Sequence, residues 1–220
     1  MKNKILNNHE FLIEKFLIEQ EKNMKPNQRI LDAGAGQCQY RGIFNKRHRY
    51  VSQDLGVGDK NWDFSHIDIR SPIDAIPEKS KSFDYIILTQ VLEHVNNPEK
   101  VMKELARLLK PYGKILLTAP LCAGEHQMPH HYYNYTREGI KYLSSNAGLK
   151  VVTIKPMGGY FTYLGQILQF AGYELFGETL LTKIIFYPWR LFVTSGGLIL
   201  DRFDRVKNTT SGYIAIIEKV

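Results

Sequence analysis

Three short segments restrict the possible folds of this chain most: RILDAG (Arg29 to Gly34), YIILTQ (Tyr85 to Gln90) and KILLTAP (Lys114 to Pro120). They are mostly apolar and none alternates cleanly with polar residues, so each reads as a strand buried on both faces, the kind found in parallel sheets flanked by helices. Tyr50 to Asp54, Phe64 to Asp68, Leu149 to Ile154 and Gly212 to Val220 are further strand candidates. Helical patterns lie between them. Asn97 can cap a helix that has Pro98 in its first position and Glu99 in its first turn, with Val101, Met102, Leu105, Leu108 and Leu109 at helical spacing. Pro111 and Gly113 are expected to end it. Thr136 can cap a second helix carrying Ile140, Leu143 and Ala147, closed by Gly148. This alternation predicts an α/β domain.

At 220 residues, 44% hydrophobic and 23% charged, the chain can bury a full core as one domain with an appended subdomain. Its formal charge of +7 is dispersed, with one dense patch at Lys46, Arg47, His48 and Arg49. That patch is expected at a helix C-terminus, where the helix dipole favours cations. No nucleic-acid module is legible, so nucleic acid is not the expected partner. The N-terminal segment is broken by Glu10, Glu14, Lys15 and Glu19 and reads as an amphipathic helix rather than an export signal. With Cys38 and Cys122 expected as free thiols, this reading puts the chain in the cytoplasm. From Met157 to Asp201 the composition turns aromatic and apolar, but Gln166, Gln169, Pro188 and Arg190 interrupt every candidate membrane span. The expected division is therefore a core of residues 1–156 and 212–220 and a helical insertion of 157–211. The insertion reads as a lid over the substrate pocket, as a peripheral contact of residues 157–200 with the inner membrane face, or as a plain apolar subdomain.

Chemistry begins where the first strand ends. In ILDAGAGQC, Asp32 runs directly into Gly34 and Gly36, glycines that allow positive φ and close approach of a ligand. In open α/β sheets ligands bind beyond the carboxyl ends of strands, where this loop falls. Asp54 ends the second strand 22 positions after Asp32, and a carboxylate there can hold both hydroxyls of a ribose, which favours an adenosine-type cofactor. A dinucleotide fingerprint needs a third glycine where this chain has Gln39, which weakens a nicotinamide reading. Asp68 can accept from an adenine amino group, with Ile69 against the ring. Asp32 and Asp68 could alternatively cap nearby turns.

The order DAGAG, acidic strand end, acid–apolar pair, FDYIILTQVLEHV and LLKPYGKILLTAP resembles class I S-adenosylmethionine-dependent methyltransferases, especially the small-molecule subgroup whose members often carry L-E-H-V after the fourth strand. The resemblance covers roughly Arg29 to Pro156 and the last strand. It implies a Rossmann-like three-layer sandwich with a seven-stranded, mostly parallel sheet whose last strand is antiparallel. It also implies that Asp32, Ala33, Gly34 and Gly36 line the methionine end of S-adenosyl-L-methionine, Asp54 and Leu55 the ribose, and Asp68 and Ile69 the adenine, with Gln90 near the methyl group. Cys38 departs from the pattern, since many relatives have glycine there.

The acceptor side is less defined. Glu93 and His94 open a loop near the expected pocket, and Glu125, His126, His130 and His131 precede the aromatic run YYNYT. His130, His126 and His94 are the candidate general bases for a hydroxyl acceptor, because an imidazole titrates near neutral pH. Pro129 interrupts the cluster, so no metal is expected there. The segment also resembles that of bacterial enzymes of surface-glycan or secondary-metabolite pathways. The expected function is methyl transfer to a small-molecule or glycan-like acceptor at oxygen or nitrogen. The alternative is a non-catalytic, cofactor-binding or membrane-associated module.

Overall fold

The structure is a computed structural model that describes residues 6–58 and 61–220. Helix α1 (Asn8–Lys22) leads into β1 (Arg29–Ala33), the short α2 (Arg41–Phe44), β2 (Arg49–Asp54), β3 (Ile69–Arg70) and β4 (Phe83–Thr89). A 3-10 turn (Leu92–His94), α3 (Pro98–Leu108), β5 (Leu109–Pro120), α4 (Arg137–Asn146) and β6 (Leu149–Pro156) follow. Four helices come next, α5 (Tyr160–Leu168), α6 (Ala171–Phe176), α7 (Leu180–Ile185) and α8 (Tyr187–Leu200), before β7 (Gly212–Lys219) ends the fold.

The strands form a seven-stranded sheet in the order β3-β2-β1-β4-β5-β7-β6. Strands β1 to β5 pair in parallel, with Asp32 opposite Ser52 and Ile87, and β7 is antiparallel. This is the expected Rossmann-like class. The chain leaves β1 toward β2 and β3, then returns to place β4 on the other side of β1. The order therefore reverses at β1 and β4, which opens a crevice beyond their carboxyl ends.

The three apolar runs are buried as expected: Leu31, Ile86, Leu88, Ile115 and Leu117 belong to one core. Helix α3 lays Val101, Met102, Leu105 and Leu108 into that core, and the Asn97 side chain accepts the Lys100 N–H at 3.0 Å. Thr136 accepts the Gly139 N–H at 3.0 Å and caps α4 in the same way.

Two local expectations are corrected. Phe64 to Asp68 is not a strand: Ser52 Oγ and Arg41 Nη2 donate to the His66 carbonyl at 3.2 and 2.7 Å, so side chains hold this segment and ladder pairing starts only at Gln53 with Ile69. Pro111 and Gly113 do not end α3, which stops at Leu108; they lie inside β5. There the register jumps from Phe83–Leu109 to Tyr85–Lys114, and the irregularity accommodates a proline that lacks a ladder donor. The basic patch begins directly after a helix C-terminus, where Arg47 N and His48 N donate to the Phe44 carbonyl at 3.2 and 3.0 Å. Helix α2 closes at Phe44, Arg49 opens β2, and Arg47 donates to Glu21 of α1 at 2.7 Å while His48 lies 3.3 Å from the same oxygen.

The described residues separate into two compact units, those of 13–155 with 213–220 and those of 156–212 with 6–12. The second unit contains the expected insertion, 157–211. Within it, Asp201 and Asp204 accept the Gly159 and Tyr160 N–H groups, each at 2.8 Å, at the start of α5. A Cβ on Gly165 would lie 2.7 Å from the Val193 carbonyl oxygen, so α5 and α8 are in close backbone contact there. Leu175, Leu180 and Phe192 are exposed by 73%, 75% and 73%. Among the described residues no helix is long and apolar enough to cross a membrane.

Candidate active site

The turn after β1 is held by the end of β2. Gly34 and Ala35 donate to the Gln53 carbonyl, both at 2.9 Å, and Gly36 donates to Asp54 Oδ2 at 2.9 Å. Gly34 has φ +73°, and an added Cβ would lie 2.6 Å from Val91 Cγ2. Gly36 has φ +52° and sits 3.2 Å, measured from a built Cβ, beneath the Trp62 ring. Cys38 adopts φ +55°. The backbone thus takes a left-handed conformation at the position where the resembled family often has glycine, at a cost of about 1–2 kcal/mol for a residue with a Cβ.

Three carboxylates surround this turn. Asp54 accepts from Gly36 at Oδ2 and from Gly56 at Oδ1, the latter at 2.7 Å, so backbone donors on both sides fix it at its strand end. Asp32 is only 1% exposed, and the Tyr50 hydroxyl donates to its Oδ2. Burial pushes the Asp32 carboxyl up to about 7, with Asp54 adding to the shift, while the Tyr50 bond and Arg41 oppose it. Burial and the neighbouring Asp32 also push the Tyr50 phenol up. Asp68 precedes β3 and takes its side-chain hydrogen bonds on Oδ2, from Ser52 N, Ser52 Oγ and Arg41 Nη2 at 2.9, 2.8 and 3.2 Å. Partial burial opposes its ionisation, but the Ser52 bonds and the Arg41 charge outweigh this and hold the carboxyl below its ordinary range. Beside it, Gln37, Cys38, Arg41, His66 and Ile67 line a cavity of about 450 Å³.

On the other side of the crevice, Gln90 has φ +53°, and its side chain donates to Thr118 Oγ1 at 3.0 Å. The 3-10 turn that follows is stitched to the loop after β5. Tyr132 N donates to the Glu93 carbonyl at 2.8 Å, the Tyr135 hydroxyl to the Leu92 carbonyl at 2.9 Å, and the Tyr133 hydroxyl to the Asn96 carbonyl at 3.2 Å. These bonds bring the rings of His94, His126 and His131 together, with centroids 4.4 to 5.8 Å apart. Burial lowers the affinity of His94 for a proton, and its histidine neighbours add to this against the His130 carbonyl. Glu93 lies beneath, 0% exposed, and among the described residues neither carboxylate oxygen has a hydrogen-bond partner. Burial pushes its carboxyl up to about 8.

The structure therefore brings Asp32, Ala33, Gly34, Gly36 and Asp54 into one turn, with Asp68 and Ile69 on the adjoining strand edge. Leu55 is exposed beside Asp54. Of the three candidate bases, His94 and His126 meet in one cluster, whereas His130 contributes its backbone carbonyl, which accepts from His94 Nδ1 at 2.7 Å. Sequence reasoning overlooked Tyr50, Ser52, Arg41 and Trp62, whose roles depend on strand register and loop path. The burial of Glu93 had a faint signal, a charge between apolar Leu92 and Val95.

A sequence profile described as a methyltransferase domain matches residues 7–154, more than half of the chain. The chain belongs to this family, as a class I S-adenosylmethionine-dependent methyltransferase. It is 27% identical over 117 residues to a sarcosine/dimethylglycine N-methyltransferase of Aphanothece halophytica, a match spanning 46% of this chain and 40% of that enzyme. Its fold is similar to that of an S-adenosylmethionine-dependent methyltransferase from Archaeoglobus fulgidus, at TM-score 0.61 and 13% identity over 94% of this chain and 93% of that one. It is also similar to a Burkholderia thailandensis 1,6-didemethyltoxoflavin-N1-methyltransferase solved with 1,6-didemethyltoxoflavin and S-adenosylhomocysteine. There the TM-score is 0.59 and the identity 14%, over 95% of this chain and 78% of that one.

The residues of this methyltransferase fit the family cofactor, S-adenosyl-L-methionine. Among the described residues no cation lies within hydrogen-bond reach of the buried Asp32 carboxyl. A positively charged ligand at the turn would supply what that carboxyl needs to ionise.

Proposed function

We propose that this methyltransferase moves the methyl group of S-adenosyl-L-methionine to a small-molecule acceptor, at oxygen or nitrogen, and that a sugar-like hydroxyl is the kind of group its acceptor loop suits. The observation that carries this reading is the turn itself: Gly34 and Gly36 lie between a buried Asp32 and a backbone-fixed Asp54 where the strand order reverses. When bound, the cofactor supplies an electrophilic methyl whose sulfonium leaving group needs no proton. The chain's own contribution is alignment, and positioning of this kind can supply roughly 7 to 11 kcal/mol of the barrier. Asp32, Ala33, Gly34 and Gly36 hold the amino-acid end, Asp54 and Leu55 the ribose, and Asp68 through its remaining oxygen, with Ile69, the adenine. Gln90, braced on Thr118, adjoins the transferring group. The histidines and phenols of residues 126–135 orient the acceptor and handle its proton.

A second reading concerns the helical unit alone. Its exposed Leu175, Phe176, Leu180, Leu181 and Phe192, together with Trp189, suit contact with a lipid surface. Flotation of the protein with anionic vesicles tests it, and protein that stays at the bottom of the gradient rejects it.

The catalytic reading is tested by supplying cofactor labelled in its methyl group to fractionated cell extracts. Label is expected in the polar small-molecule pool and is expected to fall at least about 10-fold for Asp54→Ala at subsaturating cofactor. Label confined to nucleic acid or protein would overturn the choice of acceptor class.

A further inference from the structure

We infer that Glu93, His94 and His126 form a binding site for one divalent transition-metal ion. One carboxylate oxygen of Glu93 and one ring nitrogen of each histidine all lie within 4.8 Å of one another. That spacing lets three donors converge on a single ion after small side-chain adjustments.

Glu93 is the first sign. A carboxylate that is 0% exposed and has no hydrogen-bond partner among the described residues is costly, and such groups are found paired or on a metal. Tyr135 is close enough to act on it electrostatically but does not serve it, because its hydroxyl is committed to the Leu92 carbonyl at 2.9 Å.

The histidines point the same way independently. His94 Nδ1 lies 2.7 Å from the His130 carbonyl oxygen and His126 Nδ1 lies 2.9 Å from that of Gly124. A carbonyl can only accept, so each ring carries its hydrogen on Nδ1 and keeps the lone pair on Nε2 free. Metal-bound histidines are oriented by outer hydrogen bonds of this kind. His131 has the opposite tautomer. Its Nδ1 accepts from His126 N at 3.4 Å, so Nε2 carries the hydrogen, and that buried nitrogen has no partner among the described residues. An oxygen bound to the ion would give it one.

Two imidazoles and one carboxylate suit Zn²⁺, Fe²⁺, Co²⁺ or Mn²⁺ better than Ca²⁺ or Mg²⁺, which favour all-oxygen shells, and three protein ligands leave a position open. The function follows from that opening and rests on the methyltransferase reading above. With the ion bound, His94 and His126 serve as ligands in place of bases, and an acceptor hydroxyl on the ion loses its proton to solvent more readily and keeps a fixed position as its oxygen takes the methyl group. Pro129, which breaks the sequence spacing, is no obstacle, because Glu93 and His94 come from a different turn.

The test uses the full chain stripped with chelator and then titrated with Co²⁺, read by its visible d–d absorption and by calorimetry. One equivalent is expected to bind with a tetrahedral or five-coordinate spectrum. Glu93→Gln and His126→Ala should each weaken binding at least about 10-fold, whereas His130→Ala, which keeps the backbone carbonyl, should bind like the wild type. His126 is on the surface, so its variant remains informative if Glu93→Gln fails to fold. Absence of a one-equivalent site in the wild type, or unchanged binding in both ligand variants, would overturn the inference. S-adenosylhomocysteine is titrated into the same samples. Its binding without Co²⁺ binding defeats the ion site and leaves the methyltransferase reading intact, and the reverse result defeats that reading alone.

Discussion

Replacing Asp32 with asparagine isolates the electrostatic cost of the buried carboxyl at the head of the turn. In the folded chain burial raises this group from 3.8 to about 7. Between those values the folded state keeps a proton that the unfolded state releases, so the group's contribution to stability falls as pH rises and levels off above about pH 7. At about 1.4 kcal/mol per pH unit the full loss is about 4 kcal/mol, a large share of the stability of an ordinary domain. The asparagine variant keeps an oxygen for the Tyr50 hydroxyl and has no charge to bury. Urea unfolding from pH 5 to 8 should therefore show the variant gaining on the wild type through most of that window, with no further gain above it. Tyr50→Phe removes a bond that favours the ionised carboxylate and should move the levelling-off point to higher pH. The cofactor site adds a second expectation. In the proposed site the ligand's ammonium group lies beside Asp32 and lowers its pKa, so binding of S-adenosyl-L-methionine, which carries a net positive charge, at pH 7 should release up to about half a proton, read by calorimetry in buffers of different ionisation enthalpy. A wild-type-to-variant difference that stays flat across the pH range would refute the reasoning.

Two further outcomes follow from packing. Gly34→Ala combines a left-handed φ with a Cβ 2.6 Å from Val91, and should destabilise by about 2–5 kcal/mol in chemical denaturation; Val91→Ala in the same chain should recover the steric part but not the backbone part. Leu105→Ala, at a fully buried position on α3, should cost about 2–5 kcal/mol, and a loss below about 1 kcal/mol would contradict its place in the core.

The sheet was legible because its central strands are buried on both faces, so Ile30, Leu31, Ile86, Leu88, Leu116 and Leu117 needed no tertiary information to be recognised. Caps were equally local: Asn97 and Thr136 act on N–H groups three positions away. The failures share one cause, a partner distant in sequence. Asp68 and His66 are held by Ser52 and Arg41, which removes the strand expected at Phe64 to Asp68. Pairing with β4 carries Pro111 and Gly113 into β5, where they were expected to end a helix. His130 and His126 both precede the aromatic run and were both candidate bases, whereas ring positions depend on how that loop is tied to the turn after β4. The same ties bring Glu93 and His94 to His126, a grouping that spacing along the chain could not reveal.

The proposed methyl transfer rests on an adenosine-type cofactor, which we place at the turn between Asp32 and Asp54. Equilibrium dialysis of the wild-type chain against methyl-labelled S-adenosyl-L-methionine tests this directly. One saturable site is predicted, displaced by S-adenosylhomocysteine and weakened at least about 10-fold in folded Asp54→Ala. Wild-type protein that retains no label, or Asp54→Ala that binds as tightly as the wild type, would contradict it.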